Sequence, residues 1–342
     1  MTLEDVIFLG AGASASDGAP VQNELFRSYF SNHYNDDLSN SLKEFFRDFF
    51  GINPDKNANE NFPTFEEVLG ILELSISRNE SFRKYPIVPS NPKVQEVREQ
   101  LIFLIAKILR QKLRFGRENH DKLINRLIAE RRIKKTAFIS LNYDILIDNA
   151  ITEKHDQVDL DYGVTFTNFS KKGDWHKPRH NKKTLLLKLH GSLNWLYCPT
   201  CISLTITPKE KSVSTIAERP KECEKCHTNM IPIIIPPTFF KVMSNYFLQQ
   251  IWRSAEIALS KTKRIIFCGY SFPDADIHIK YLLKRVEVNK GNTPEIFIVN
   301  NHEGKRADIK MEEELRYKRF FANSSRVKYL DLSFEEFCEK GI

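Results

Sequence analysis

The chain has 342 residues, with 41% hydrophobic and 28% charged residues and a net charge of +7 from 51 Lys+Arg against 44 Asp+Glu. That balance excludes a mostly disordered chain, and the length suits about two domains with a full core. The longest apolar runs, 101–106 and 231–235, fall far short of the ~20 residues a membrane span needs, and the mild basicity permits an anionic partner without identifying one. Glu4 and Asp5 stand where a secretory signal would be basic, so a cytoplasmic protein is expected.

Residues 6–9 (Val6, Ile7, Phe8, Leu9) have the length and residue types of a short buried strand, which runs into Gly10-Ala11-Gly12-Ala13-Ser14. Residues 22–131 then read as mostly helical. Leu25, Phe26 and Phe30 recur at helical spacing, as do Leu42, Phe45, Phe46 and Phe49. An Asn- and Pro-rich loop at 52–63 and a break at 86–92 divide this region. Thr64 opens a segment with Glu66 and Glu67 in its first turn, where acids suit the helix dipole. The stretch 94–131 is long, periodic and charged. Strand character returns at 136–141, followed by Asn142-Tyr143-Asp144 and a helix from Ile145; a strand at 185–189 ends at His190-Gly191. A cysteine-rich insert spans 198–226. Further strands are expected at 231–235, 264–268, 295–299 and 327–330, with helices at 245–260 and 275–286. Strands alternating with helices imply a parallel α/β sheet.

Polar or glycine positions follow the carboxyl ends of these strands: Gly10, Asn142, His190, Gly269 and Asn300. In an open α/β sheet that edge is where ligands bind. Gly10-x-Gly12-x-x-Ala15 fits a turn that lets backbone approach a phosphate at a helix start, though a glycine-rich turn without a ligand has the same pattern. The acid that usually follows about 20 residues on is missing, since position 30 is Phe30. Cys198-x-x-Cys201 and Cys223-x-x-Cys226 are two knuckles that suit a closed tetrahedral zinc site, structural rather than catalytic; free thiols, or His227 in place of one cysteine, are the alternatives. Cys268 and Cys338 read as core or surface residues. His190 alone is a satisfied histidine, Asn142 a helix cap and Asp144 a first-turn acid. Taken together at one sheet edge, they offer a base and orienting groups. The basic run 171–183, with Lys171, Lys172, Trp175, Lys177, Arg179, Lys182 and Lys183, fits a solvated loop better than a nucleic-acid surface, as no recognition motif accompanies it.

The ordered set Gly10-Ala11-Gly12-Ala13-Ser14 with Gly18-Ala19-Pro20, Ser140-Leu141-Asn142-Tyr143-Asp144, Lys188-Leu189-His190-Gly191, two CxxC pairs, Gly269-Tyr270-Ser271 and Asn300 resembles the sirtuin fold. It is closest in pattern to bacterial sirtuin-like NADases of anti-phage defence, through His190-Gly191-Ser192-Leu193-Asn194-Trp195, Gly269-Tyr270-Ser271-Phe272 and Thr64-Phe65-Glu66-Glu67-Val68-Leu69. The resemblance implies a Rossmann-like sheet over 1–342, interrupted by the helical insertion at 22–131 and a zinc ribbon at 196–230. It implies NAD as substrate and structural zinc on Cys198, Cys201, Cys223 and Cys226. Gly10, Ala11, Gly12 and Ser14 would hold the phosphates, Gly269 and Ser271 the phosphate and adenosine-ribose end, and Asn300 the adenine ribose. Asp144 would face the nicotinamide, with Asn142 and His190 the catalytic pair. It further implies a homo-oligomer and a partner defence protein such as an ATPase or helicase.

The expected reaction is hydrolysis of NAD to nicotinamide and ADP-ribose. The alternatives are an NAD-dependent protein deacylase and a non-catalytic module that binds NAD or ADP-ribose. Deacylases follow the glycine–proline with Asp-Phe-Arg, where this chain has Val21, Gln22 and Asn23, and they usually carry Gln where Leu141 stands. Beyond the cysteine pairs, which keep a deacylase-like layout, Pro236 and Pro237 fall where an acyl peptide would pair, and proline donates no ladder hydrogen bond.

Overall fold

The computed structural model describes residues 3–342 apart from 22–23, 33, 57–60, 113–117, 168–175, 207–220, 235–244, 275 and 303–306. Its centre is a seven-stranded, wholly parallel sheet of β1 (Asp5–Leu9), β2 (Thr136–Ser140), β3 (Asp159–Asp161), β4 (Lys183–Lys188), β8 (Arg264–Cys268), β9 (Glu295–Val299) and β10 (Val327–Leu330). The strand order is β10-β9-β8-β1-β2-β4-β3. Val6, Ile7, Phe8 and Leu9 are all at most 1% exposed, as a strand covered on both faces requires.

The sheet is covered by α6 (Glu118–Ala129), α7 (Leu146–Thr152), α8 (Tyr246–Lys261), α9 (Ile277–Lys290), α10 (Ala307–Phe320) and α11 (Phe334–Lys340). A second apolar core is built by α2 (Leu25–Phe30), α3 (Asp37–Phe50), α4 (Phe65–Arg78) and α5 (Lys93–Lys112), where Phe26, Phe30 and Phe46 pack edge to face and side by side with Phe62. The periodic stretch 94–131 is therefore two helices with different loyalties. Leu101 and Ile105 of α5 join the helical core, whereas Leu123, Ile124 and Leu127 of α6 join the core of the sheet.

The strand expected to end at His190 continues almost at once. β4 closes at Lys188, and after only two intervening residues β5 (Gly191–Cys198) starts, pairing antiparallel with β6 (Ser203–Ile206) and β7 (Ile231–Ile234). The turn is possible because Gly191 takes φ +83°, and a Cβ there would lie 2.0 Å from the Ile233 carbonyl oxygen. Leu193 of β5 and Ile234 of β7 reach the helical core while Trp195 enters the sheet core, so this small sheet joins the two.

Candidate active site

The carboxyl ends of five strands are in register. Leu9 pairs with both Ser140 and Cys268, Ser140 with Lys188, and Cys268 with Val299. Gly10, Asn142, His190, Gly269 and Asn300 stand one or two residues beyond this row. β1 is the switch point, with β2 on one side and β8 on the other, the place where open α/β sheets bind ligands. A cavity of about 560 Å³ lies there; Gly10, Ala11, Gly12, Asn142, His190, Gly269, Ser271 and Asn300 all line it. Thr64 and Glu66 close it from the helical core. They are held at the start of α4 by a capping box, in which Glu67 N donates to Thr64 Oγ1 (3.2 Å) and Thr64 N to the Glu67 carboxylate (2.6 Å).

The two glycine turns interlock. Gly12 N donates to Gly269 O at 2.8 Å and Gly10 N to Cys268 O at 2.9 Å. Gly269 has φ +61°, and a Cβ on it would lie 2.1 Å from Ala13 N. The α1 helix (Ala11–Ala15) begins directly from this contact.

Asn142 is fixed by a short relay. Its Nδ2 donates to Gly10 O and to Ser14 Oγ, each at 2.8 Å, and Ser14 Oγ donates to Asp144 Oδ2 at 2.6 Å. Asp144 Oδ1 accepts from Leu146 N at 3.1 Å, in the first turn of α7. Ser14 and Asp144 are thus buried behind Asn142 and do not line the cavity. Behind them, Lys188 Nζ donates to the Asp144 carbonyl and pairs with Asp148 at 3.1 Å, with side chains 0% and 3% exposed. Tyr162 OH donates to the other Asp148 oxygen at 2.5 Å.

His190 sits in the two-residue turn between β4 and β5. Leu189 N donates to Ser140 O (3.1 Å) and Trp252 Nε1 to Leu189 O (3.0 Å), which pins this turn to the sheet. The Tyr143 ring lies 6.3 Å from the His190 ring, centroid to centroid. Burial pushes the Tyr143 phenol well above its ordinary pKa, and the carboxylates of Glu66, Asp276 and Glu73 add to the effect. Burial does the same to Tyr270, again reinforced by Asp276, whose Oδ2 accepts from Tyr270 OH at 2.8 Å. Both phenols are therefore hydrogen-bond donors near neutral pH.

At the β9 end, Asn300 Nδ2 donates to Tyr270 O (3.1 Å) and to Glu313 Oε1. His302 and Glu313 also line the cavity. Sequence reasoning assigned no role to Glu66, Tyr143, Tyr270, Asp276, His302 or Glu313. In the sequence Glu66 reads only as a first-turn acid of its helix, and Tyr143 and Tyr270 only as members of the motifs around Asn142 and Gly269.

The four cysteines stand apart at the tip of the small sheet. Their sulfurs all lie within 4.8 Å of one another, with Cys198–Cys226 at 3.5 Å and Cys201–Cys223 at 3.8 Å. Sulfurs on a tetrahedral ion with 2.3 Å bonds are ~3.8 Å apart, so the set fits one zinc. Cys268 and Cys338 are buried, and burial raises both thiol pKa values, so neither is poised as a nucleophile. Of the basic run, 171–175 lies outside the described residues. Arg179 and Lys183 pair with Asp159 and Asp161 of β3, at 2.6 and 2.7 Å.

Residues 136–323, more than half of the chain, match the family described as SIR2-like domain. The chain belongs to this SIR2-like family. The match spans Asn142, His190, the cysteine pairs, Gly269, Asn300 and Glu313, and begins after the first glycine turn. Membership supports an NAD-related function of sirtuin type. The SIR2-like chain is also similar to a solved structure described as a basis for the mechanism and regulation of Sir2 enzymes, at 17% identity over 99% of this chain and 91% of that one, with a TM-score of 0.44. A second is SIR2 in complex with the inhibitor EX-527, 2′-O-acetyl-ADP-ribose and deacetylated p53 peptide, at 16% identity over 98% of this chain and 91% of that one, with a TM-score of 0.39. No curated protein matches the chain. Among the described residues, no helix is long and apolar enough to cross a membrane.

Proposed function

We propose that this SIR2-like chain is an NAD hydrolase that cleaves the nicotinamide–ribose bond to give nicotinamide and ADP-ribose. The observation that carries the reading is the register of β1, β2 and β4, which brings the Gly10–Gly12 turn, Asn142 and His190 to one cavity wall. Bond cleavage of this kind develops positive charge at the ribose carbon, as in glycoside hydrolysis, and needs water aimed at that carbon. Asn142 Nδ2 is held by Gly10 O and Ser14 Oγ, which leaves its amide oxygen to orient the ribose or the water. His190 takes the proton from that water as general base. The negative wall of Glu66 and Asp276 favours the cationic transition state. Asp144, held in the relay to Ser14, serves the nicotinamide end by fixing Asn142.

The test is incubation of the purified protein with NAD and chromatography of the products. Nicotinamide and ADP-ribose should appear, and Asn142→Ala and His190→Ala should each lower the rate ~10²-fold or more while NAD still binds. Absence of product, or turnover indifferent to both changes, refutes the reading. The deacylase-like layout of the four cysteines favours a second reading, in which an acyl-lysine peptide replaces water; NAD turnover that requires such a peptide would select it. The resemblance to defence NADases supports a role in NAD depletion, restrained until the chain oligomerises or meets a partner ATPase or helicase. Turnover by the chain alone against turnover with its genomic neighbour's product tests that restraint.

A further inference from the structure

Asn142 and His190 follow the ends of neighbouring strands, β2 and β4, and must keep one separation to act on the same ribose. The irregular loop 141–145 that carries Asn142 is gripped by the segment that carries His190. Leu193 N of β5 donates to Tyr143 O at 3.0 Å, and Nζ of Lys188, the last residue of β4, donates to Asp144 O. The two grips flank His190 in sequence. We propose that Lys188 is a positioning residue of the reaction, its amine clamping the Asn142 loop to the turn that carries His190. This rests on the proposed hydrolase chemistry and adds to it the part that fixes the two groups relative to each other.

Lys188 is fully buried, and taking an ammonium out of water is costly. Asp148 offsets that cost from 3.1 Å, and Tyr162 OH, donating to the other Asp148 oxygen at 2.5 Å, keeps the carboxylate in place. A buried pair is a weak source of stability, since apolar groups of similar volume often serve a fold as well or better. What apolar groups cannot do is donate to the Asp144 carbonyl. That carbonyl belongs to the residue whose carboxylate accepts from Ser14 Oγ, and Ser14 Oγ in turn accepts from Asn142 Nδ2. Lys188 does not line the cavity. It reaches Asn142 through the Asp144 backbone, and its own main chain leads to His190 two residues on.

The experiment measures kcat and KM for NAD, together with amide hydrogen exchange, on the full-length protein as wild type, as Asp148→Asn, and as Asp148→Asn combined with Lys188→Met. Asp148→Asn breaks the ion pair but leaves the Lys188 amine to donate to Asp144 O, so kcat should stay near the wild-type value. The double variant lacks both the pair and the clamp. Its kcat should fall ~10²-fold, the cost of a displacement of about 1 Å at an active site, with KM little changed. Its amides at 142–145 should exchange faster, while those of β8 keep the wild-type rate. A purely structural role predicts the reverse order, because Asp148→Asn leaves a buried cation without its partner and the double variant does not. Wild-type kcat in the double variant, or an equal loss in both variants, overturns the assignment and leaves the hydrolase reading standing. A wild type that does not turn over NAD removes the hydrolase reading, and exchange at 142–145 then decides: faster in the double variant alone keeps the hold of Lys188 on the loop, and any other pattern removes it. Should the double variant fail to fold, Lys188→Gln replaces Lys188→Met with the same expected result, since its side chain is one atom shorter and falls short of the Asp144 carbonyl.

Discussion

Substituting alanine at two glycines separates the cost of an unfavourable backbone from the cost of forcing the glycine turns apart. Gly269 and Gly291 have similar dihedrals, φ +61° and +72°. Gly291 ends α9 in the open, where a Cβ would meet nothing within 4 Å. Gly269 is pressed against the first turn, where a Cβ would lie 2.1 Å from Ala13 N and 2.4 Å from Gly12 C. Gly291→Ala carries only the left-handed penalty, roughly 1–2 kcal/mol, or a Tm lower by roughly 2–6 °C. Gly269→Ala carries that penalty plus overpacking of about 1–3 kcal/mol. It also moves the Gly10–Gly12 turn by about 1 Å, a displacement that costs an active site ~10²-fold. Thermal melts and nicotinamide-release kinetics on both variants give the comparison. Full activity is expected for Gly291→Ala and a ~10²-fold loss for Gly269→Ala. If the two variants behave alike in melting and in turnover, the interlocked turns do not shape the site and the reasoning fails.

Lys188→Met should destabilise the fold by about 3–5 kcal/mol in urea denaturation, because it strands the buried Asp148 carboxylate; adding Asp148→Asn should recover part of that loss, and no recovery would show that the pair is not the cause. Burial alone would raise the pKa of Asp17, but hydrogen bonds from the His120 ring and from the Asn119 and His120 N–H groups outweigh it and hold the carboxyl below 3.8. A depressed folded pKa means the contribution is complete above the unfolded value and is lost as pH falls through the folded one. The Tm gap between wild type and Asp17→Asn should therefore be full at pH 7 and close below about pH 4; a gap that widens on acidification would reverse the sign. Elemental analysis should find one zinc per chain, lost in Cys198→Ser together with stability; a wild type free of metal and as stable as that variant would remove the zinc assignment.

The fold class and the sheet edge at which the cavity lies were legible because both depend on local pattern. Short apolar runs alternating with helical periodicity specify a parallel sheet, and polar residues at the run ends mark its carboxyl edge. Gly10, Asn142, His190, Gly269 and Asn300 could be chosen from such ends, and the four cysteines from their spacing. The first two strands of the small sheet, at 191–206, were not legible, because β5 follows β4 after only two residues and His190 reads as an ending. Nor was the division between α5 and α6, whose apolar faces look alike and differ only in which core they enter.

What the tertiary structure decided was which side chains share the cavity and which stand behind it. Ser14 and Asp144, expected to touch the dinucleotide, are drawn behind Asn142 by a relay that joins residues 130 apart in sequence. Glu66 comes from α4 and Glu313 from α10, and no periodicity tells a helix which end of a sheet it will cover. Spacing along the chain determines elements and the residues at their ends; charge and hydrogen bonding in the site depend on distances through space, which exist only after the strands take their register and the helices pack on them.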